Sequence, residues 1–142
     1  MRRLEKAFVR ILGIRPRFMR PPYGAVNQFV GEVLSEMGYR IFNWDVLVRD
    51  AIPGDVVVSV QDGKKAYDEV LENRWSSAII LHHETKVHTA QDLIPYAVRK
   101  LGEGGYILGT IGECTGTPRD MWYEQVREPE ERNESWTCEQ DI

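Results

Sequence analysis

The sequence predicts an α/β fold built on a largely parallel sheet. Hydrophobic periodicity switches back and forth between helical and strand spacing, giving the order helix, strand, helix, strand, helix, strand, helix, strand. Glycines stand where three of the helices should stop, at Gly13, Gly38 and Gly102. A rigid corner, Arg20-Pro21-Pro22-Tyr23-Gly24, falls between a strand and a helix, the kind of junction at which α/β folds bind ligands. Such an order requires right-handed crossovers and gathers the strand ends on one edge. With 142 residues the chain is long enough for one domain with a core and too short for two ordinary ones.

Residues 3 to 12 place Leu4, Ala7, Phe8, Ile11 and Leu12 at helical spacing, with Arg3, Lys6 and Arg10 opposite, and predict a helix with one buried face. Phe18-Met19 reads as a strand ending at Arg20. Two consecutive prolines cannot lie inside a helix, so the chain there is extended and stiff until Gly24 releases it. Residues 25 to 38 align Val26, Phe29, Val30, Val33, Leu34 and Met37 on one helical stripe. Tyr39 to Asp45 is expected to be a strand carrying Ile41, Phe42 and Trp44, and Ile52-Pro53-Gly54-Asp55 a turn. Val56 to Val60 fits either a brief strand or the lead-in to a helix over 62 to 75, in which Ala66, Tyr67, Val70, Leu71 and Trp75 face inward. Ser77 to His83 is a third strand, whose alternation sends His82 and His83 to opposite faces. Thr89 and Asp92 suggest a capping box for a helix carrying Leu93 to Leu101, with Pro95 tolerated near its first turn. Tyr106 to Ile111 reads as a fourth strand. The sequence divides into a domain over residues 1–111 and a polar tail over 112–142, poorly packed unless Trp122, Trp136 or the cysteines pin it.

The net charge of −4 is mild and the basic residues form no stripe along the sequence, which disfavours nucleic acid and anionic membranes. No stretch approaches the roughly 20 apolar residues of a membrane span. Charged residues recur at Glu5, Lys6 and Arg10, so the start does not read as a signal peptide. Cys114 and Cys138 could close a loop in an oxidising compartment or remain free thiols in a reducing one.

Parallel strands would bring Arg20, Asp45, Asp50 and His83 to one rim. An Asp that accepts a hydrogen bond from an imidazole fixes the ring's orientation, and the imidazolium can then protonate a leaving group. The alternatives stay open: a satisfied core histidine at His83, a turn former at Asp50 and a solvated surface charge at Arg20.

The order of motifs narrows this. Arg20-Pro21-Pro22-Tyr23-Gly24, then Trp44-Asp45 through Asp50, then Ile79-Ile80-Leu81-His82-His83-Glu84, then Gly105-Tyr106-Ile107-Leu108-Gly109-Thr110, resembles the polysaccharide deacetylase (NodB-homology) family, carbohydrate esterase family 4. The stretches Gly112-Glu113-Cys114 and Ser135-Trp136-Thr137-Cys138 look like its fungal chitin deacetylase branch. The resemblance implies a distorted (β/α) barrel, of which this chain would be the C-terminal portion. It also implies zinc-assisted removal of acetyl groups from chitin or other N-acetylglucosamine polymers, outside the cell or at the cell wall.

Carried over by motif, His83 would be the general acid and Asp50 its partner, with Arg20 orienting the catalytic base. The Tyr23 backbone N–H would help hold the oxyanion, Leu81 would line the acetyl pocket, and Trp44 would stack on sugar. The resemblance also implies the disulfide Cys114–Cys138. Two departures from the family pattern, Leu47 where an Asp is usual and Ala51 where a Trp is usual, touch the pocket wall. The Thr-Phe-Asp-Asp and His-x-x-x-His segments that supply the family's base and metal ligands do not occur here. The three histidines, His82, His83 and His88, include no pair at i, i+4. The expectation is therefore that zinc or another divalent metal serves the complete family but binds weakly to this chain. Open sheet edges would expose it to aggregation or pairing, and a non-catalytic glycan-binding remnant is the other reading.

Overall fold

The computed structural model describes residues 1–51 and 56–136. The chain forms two compact units, Met1–Phe42 with Thr110–Ile142, and Asn43–Gly109.

In the first unit, helix α1 (Arg2–Leu12) ends at Gly13, whose φ of 72° is the left-handed conformation that closes a helix. Strand β1 (Ile14–Pro16) follows, then β2 (Phe18–Met19), helix α2 (Gln28–Glu36) and β3 (Arg40–Ile41). Asn27 caps α2 by accepting the Val30 N–H. Strands β2 and β3 pair in parallel, Phe18 against Arg40 and Met19 against Ile41. The Arg40 guanidinium covers the Phe18 and Phe42 rings, which meet edge to face at 5.4 Å. The apolar stripes of both helices are more open than expected. α1 has no fully buried residue, and on α2 only Leu34 is buried while Phe29 is 72% exposed.

The tail is better held than its composition predicts. Strand β6 (Tyr123–Gln125) pairs antiparallel with β1, Ile14 against Gln125 and Pro16 against Tyr123. The Gly13 carbonyl accepts the Val126 and Arg127 N–H groups, and the Arg10 carbonyl accepts that of Glu130. Backbone hydrogen bonds do not depend on apolar side chains, so a polar segment can dock on a free strand edge. Trp122 packs against Gly112, and its indole N–H donates to the Thr117 carbonyl. Cys114 is exposed. The pairing with Cys138 lies outside the described residues, as does the turn expected at residues 52–55.

The second unit contains β4 (Val46–Leu47), helix α3 (Val56–Glu72), β5 (Ile80–Leu81), one wide turn of π-helix (Thr89–Leu93) and helix α4 (Ile94–Glu103). Val56 to Val60 is helical. Its β-branched residues cost a few tenths of a kcal/mol each, and the helix forms because Gly63, Tyr67 and Val70 recur on one buried face. These residues face Val46, Val48, Leu93, Ala97 and Leu101, which complete the core. A β-carbon on Gly63 would stand 2.7 Å from Leu93 Cδ2 and 2.8 Å from Val48 Cγ1. Overpacking of this kind costs about 1–3 kcal/mol, against at most about 1 kcal/mol of helix propensity returned by alanine. Gly63→Ala is therefore expected to lower the urea midpoint, and a raised midpoint would contradict this packing.

Strands β4 and β5 pair in parallel, Val46 against Ile80 and Leu47 against Leu81. Helices and parallel strand pairs thus alternate as predicted, but a continuous barrel sheet does not form among the described residues, whose strands make three two-stranded sheets. The fourth strand is a correction. Residues 106–110 are irregular and lead into the short helix α5 (Ile111–Cys114), capped by Thr110 and Glu113. A strand needs a neighbouring ladder, and among the described residues none pairs with this stretch, leaving Ile107 95% exposed. Trp75, expected to face inward, is exposed.

Candidate functional site

Residues Val46 to Asp50 alternate between buried and exposed, so Asp50 lies on the same face as Val46 and Val48 although it stands beyond the end of β4. Asp50 is 2% exposed, and its side chain is wholly buried. A buried carboxylate persists only with donors around it, and three are present. The His83 backbone N–H donates to Oδ2 at 2.6 Å, the Thr89 hydroxyl donates to Oδ2 at 2.7 Å, and the His83 ring Nδ1 lies 2.9 Å from Oδ1. His83 reaches this position because β5 runs parallel to β4 and ends two residues earlier. His88 Nε2 lies 3.2 Å from the Asp50 carbonyl oxygen.

Burial pushes the Asp50 carboxyl upward, while the His83 ring, the His83 N–H and the Thr89 hydroxyl pull it down. The net effect lies below the ordinary carboxylate value. An ionised carboxylate only accepts hydrogen bonds, so Nδ1 of His83 carries the hydrogen and Nε2 is left to take or give a proton. The His83 side chain is 43% exposed. A buried acceptor holding a half-exposed imidazole in one tautomer is an arrangement suited to general acid/base chemistry. Tyr67 packs in the core of the same unit. Its hydroxyl is buried without a partner among the described residues, and burial together with the Asp50 charge keeps it protonated.

The remaining predicted residues fall as follows. In the second unit, Leu81 ends β5 and Trp44 is half-buried. Asp45 is exposed and accepts the Ile79 N–H at 3.0 Å through its side chain. In the first unit, Arg20 is exposed, and Tyr23 stands 99% exposed at φ 57° in a single 3-10 turn behind Pro21. Leu47 and Ala51, the two departures, are both exposed.

Thr89 is the residue that sequence reasoning misplaced. It makes no side-chain cap; its hydroxyl goes to Asp50 instead, 39 positions away in the chain. A Thr near a helix start reads as a cap in any sequence, and nothing local distinguishes the two uses.

The zinc that the family resemblance implies does not fit the residues described. Among them no three His, Cys, Asp or Glu side chains come together to hold a metal ion, and both Asp50 carboxylate oxygens are already occupied by donors.

No family model matches the chain. Individual relatives do. The chitin deacetylase of Arthroderma benhamiae is 29% identical over 127 residues, 87% of this chain and 33% of that protein. The peptidoglycan-N-acetylglucosamine deacetylase of Listeria monocytogenes is 34% identical over 112 residues, 79% of this chain and 22% of that protein. The structure of the chitin deacetylase from Colletotrichum lindemuthianum superposes with a TM-score of 0.80 at 26% identity, covering 90% of this chain and 57% of that one. The chain is thus related to the polysaccharide deacetylases of carbohydrate esterase family 4 and covers them in part. It spans between 33% and 50% of the length of the chitin deacetylases among its curated relatives.

Proposed function

We propose that this chain supplies the proton-donating part of a polysaccharide deacetylase acting on chitin or related N-acetylglucosamine polymers outside the cell or at the cell wall. The observation that carries this reading is the buried Asp50 carboxylate holding the His83 ring at 2.9 Å. As water adds to the acetamide, His83 delivers its proton to the departing amine nitrogen, so that the C–N bond breaks to release acetate and a free amine. Asp50 steadies the imidazolium. Arg20 and the Tyr23 backbone N–H orient the base and hold the oxyanion, Leu81 lines the acetyl pocket, and Trp44 stacks on the sugar ring.

In the same reading the chain alone neither binds zinc tightly nor deacetylates, because its described residues offer no ligand set. The test is zinc titration combined with acetate release from chitin oligomers. Neither activity is expected from the chain alone, and stoichiometric tight zinc with acetate release would overturn the expectation. The second reading, a glycan-binding remnant, is favoured by one observation. Tyr23 is fully exposed on a corner stiffened by Pro21 and Pro22, a rigid amphipathic ring of the kind that packs on sugars. Saturable oligomer binding without metal, lost in Tyr23→Ala, would support it.

A further inference from the structure

A cavity of about 1090 Å³ lies in the first unit between α1 and the segment that follows β6. Arg3, Lys6 and Arg10 line it from one face of α1, at the i, i+3, i+7 spacing that puts side chains in a row. Arg15 adds a fourth cation from β1, and Arg127 and Arg132 add two from the tail, against only two carboxylates, Glu5 and Glu130. The carboxylates are already engaged. Glu130 pairs with Arg10 at 2.7 Å and also with Arg127, while Glu5 pairs with Arg15 at 3.0 Å. Among the described residues Arg3, Lys6 and Arg132 form no ion pair. The excess runs against the whole chain, whose net charge is −4. One wall is Trp136, with the Arg10 guanidinium 5.6 Å above its ring. Its indole N–H is buried and has no acceptor among the described residues. Gathered like charges and a buried donor without an acceptor both raise the energy of an empty cavity, and a group rich in acceptor oxygens and negative charge relieves both.

We propose that this cavity binds a small, multiply charged oxyanion of the phosphate or sulfate class. Arginine forks suit the paired oxygens of such groups, and three cations with no ion pair among the described residues favour more than one negative charge. The cavity is concave and walled on one side by the docked tail, which fits a small molecule better than a polymer backbone.

The test follows the Trp136 indole N–H resonance of the full chain, assigned through Trp136→Phe, during titration with inorganic pyrophosphate and, separately, inorganic sulfate at constant ionic strength. A saturable shift with either anion is expected, and the tighter of the two identifies the source. The triple variant Arg3→Gln, Lys6→Gln, Arg132→Gln is expected to weaken binding by about tenfold or more, since each lost charge-assisted contact contributes severalfold. Arg132→Gln alone leaves α1 intact and is expected to weaken it severalfold. Absence of a saturable shift, or unchanged affinity in both variants with folded spectra, would overturn the proposal.

Discussion

Asp50→Ala is expected to destabilise the protein by on the order of 3 kcal/mol, because it strands the donors that a buried carboxylate now satisfies. Those donors are the His83 N–H, the His83 ring and the Thr89 hydroxyl, and Thr89 is itself fully buried. The pH dependence gives the sharper test. The carboxyl of Asp50 titrates lower in the folded protein than its ordinary value, after burial and hydrogen bonding are both counted. A group with a depressed folded value contributes stability above its unfolded value, about 3.9, and that stability is lost as pH falls through the folded value. Asp50→Asn should therefore differ most from the natural protein near neutrality, and the gap should close in acid. Urea denaturation across a pH series measures this directly. A gap that stays constant from neutrality into acid would show that the charge of Asp50 contributes nothing.

Leu93→Ala is expected to cost about 3 kcal/mol, the middle of the range for emptying a buried leucine site. Leu93 is 0% exposed and meets Val48, Tyr67 and Val70 in the core of the second unit. Ile107→Ala, at a site 95% exposed, is expected to change stability by less than about 0.5 kcal/mol. The two substitutions together decide whether the Leu93 cluster or the stretch after α4 carries the core of this unit. Leu93→Ala should also relieve the clash that a β-carbon on Gly63 creates, so Gly63→Ala should cost less in the Leu93→Ala background than alone. A strictly additive double variant would contradict the contact.

Periodicity made the helices legible because each buries one face, and Gly63, Tyr67 and Val70 recur at the spacing that a helix imposes. Strand lengths were not legible. Tyr39 to Asp45 reads as one strand, yet only Arg40–Ile41 of it is regular, in the first unit, and the next strand, Val46–Leu47, starts just beyond it in the second. Tyr106 to Ile111 has strand composition but lacks a partner ladder, and no local pattern reveals the absence of a neighbour. Val46-x-Val48-x-Asp50 was a signal available in the sequence, since period-two alternation carried one residue further places Asp50 inside.

The sequence by itself determined the alternation of helices with parallel strands, the rigid Arg20 to Gly24 corner, and the candidacy of Asp50 and His83, since these follow from side-chain period, proline geometry and motif order. Only the tertiary structure decided that Thr89 is the third donor to Asp50, that the tail docks as a strand on β1, and that scattered basic residues converge on one cavity. The physical reason is common to all three. Each depends on a contact between residues 39 or more positions apart, and neither periodicity nor local propensity extends that far along the chain.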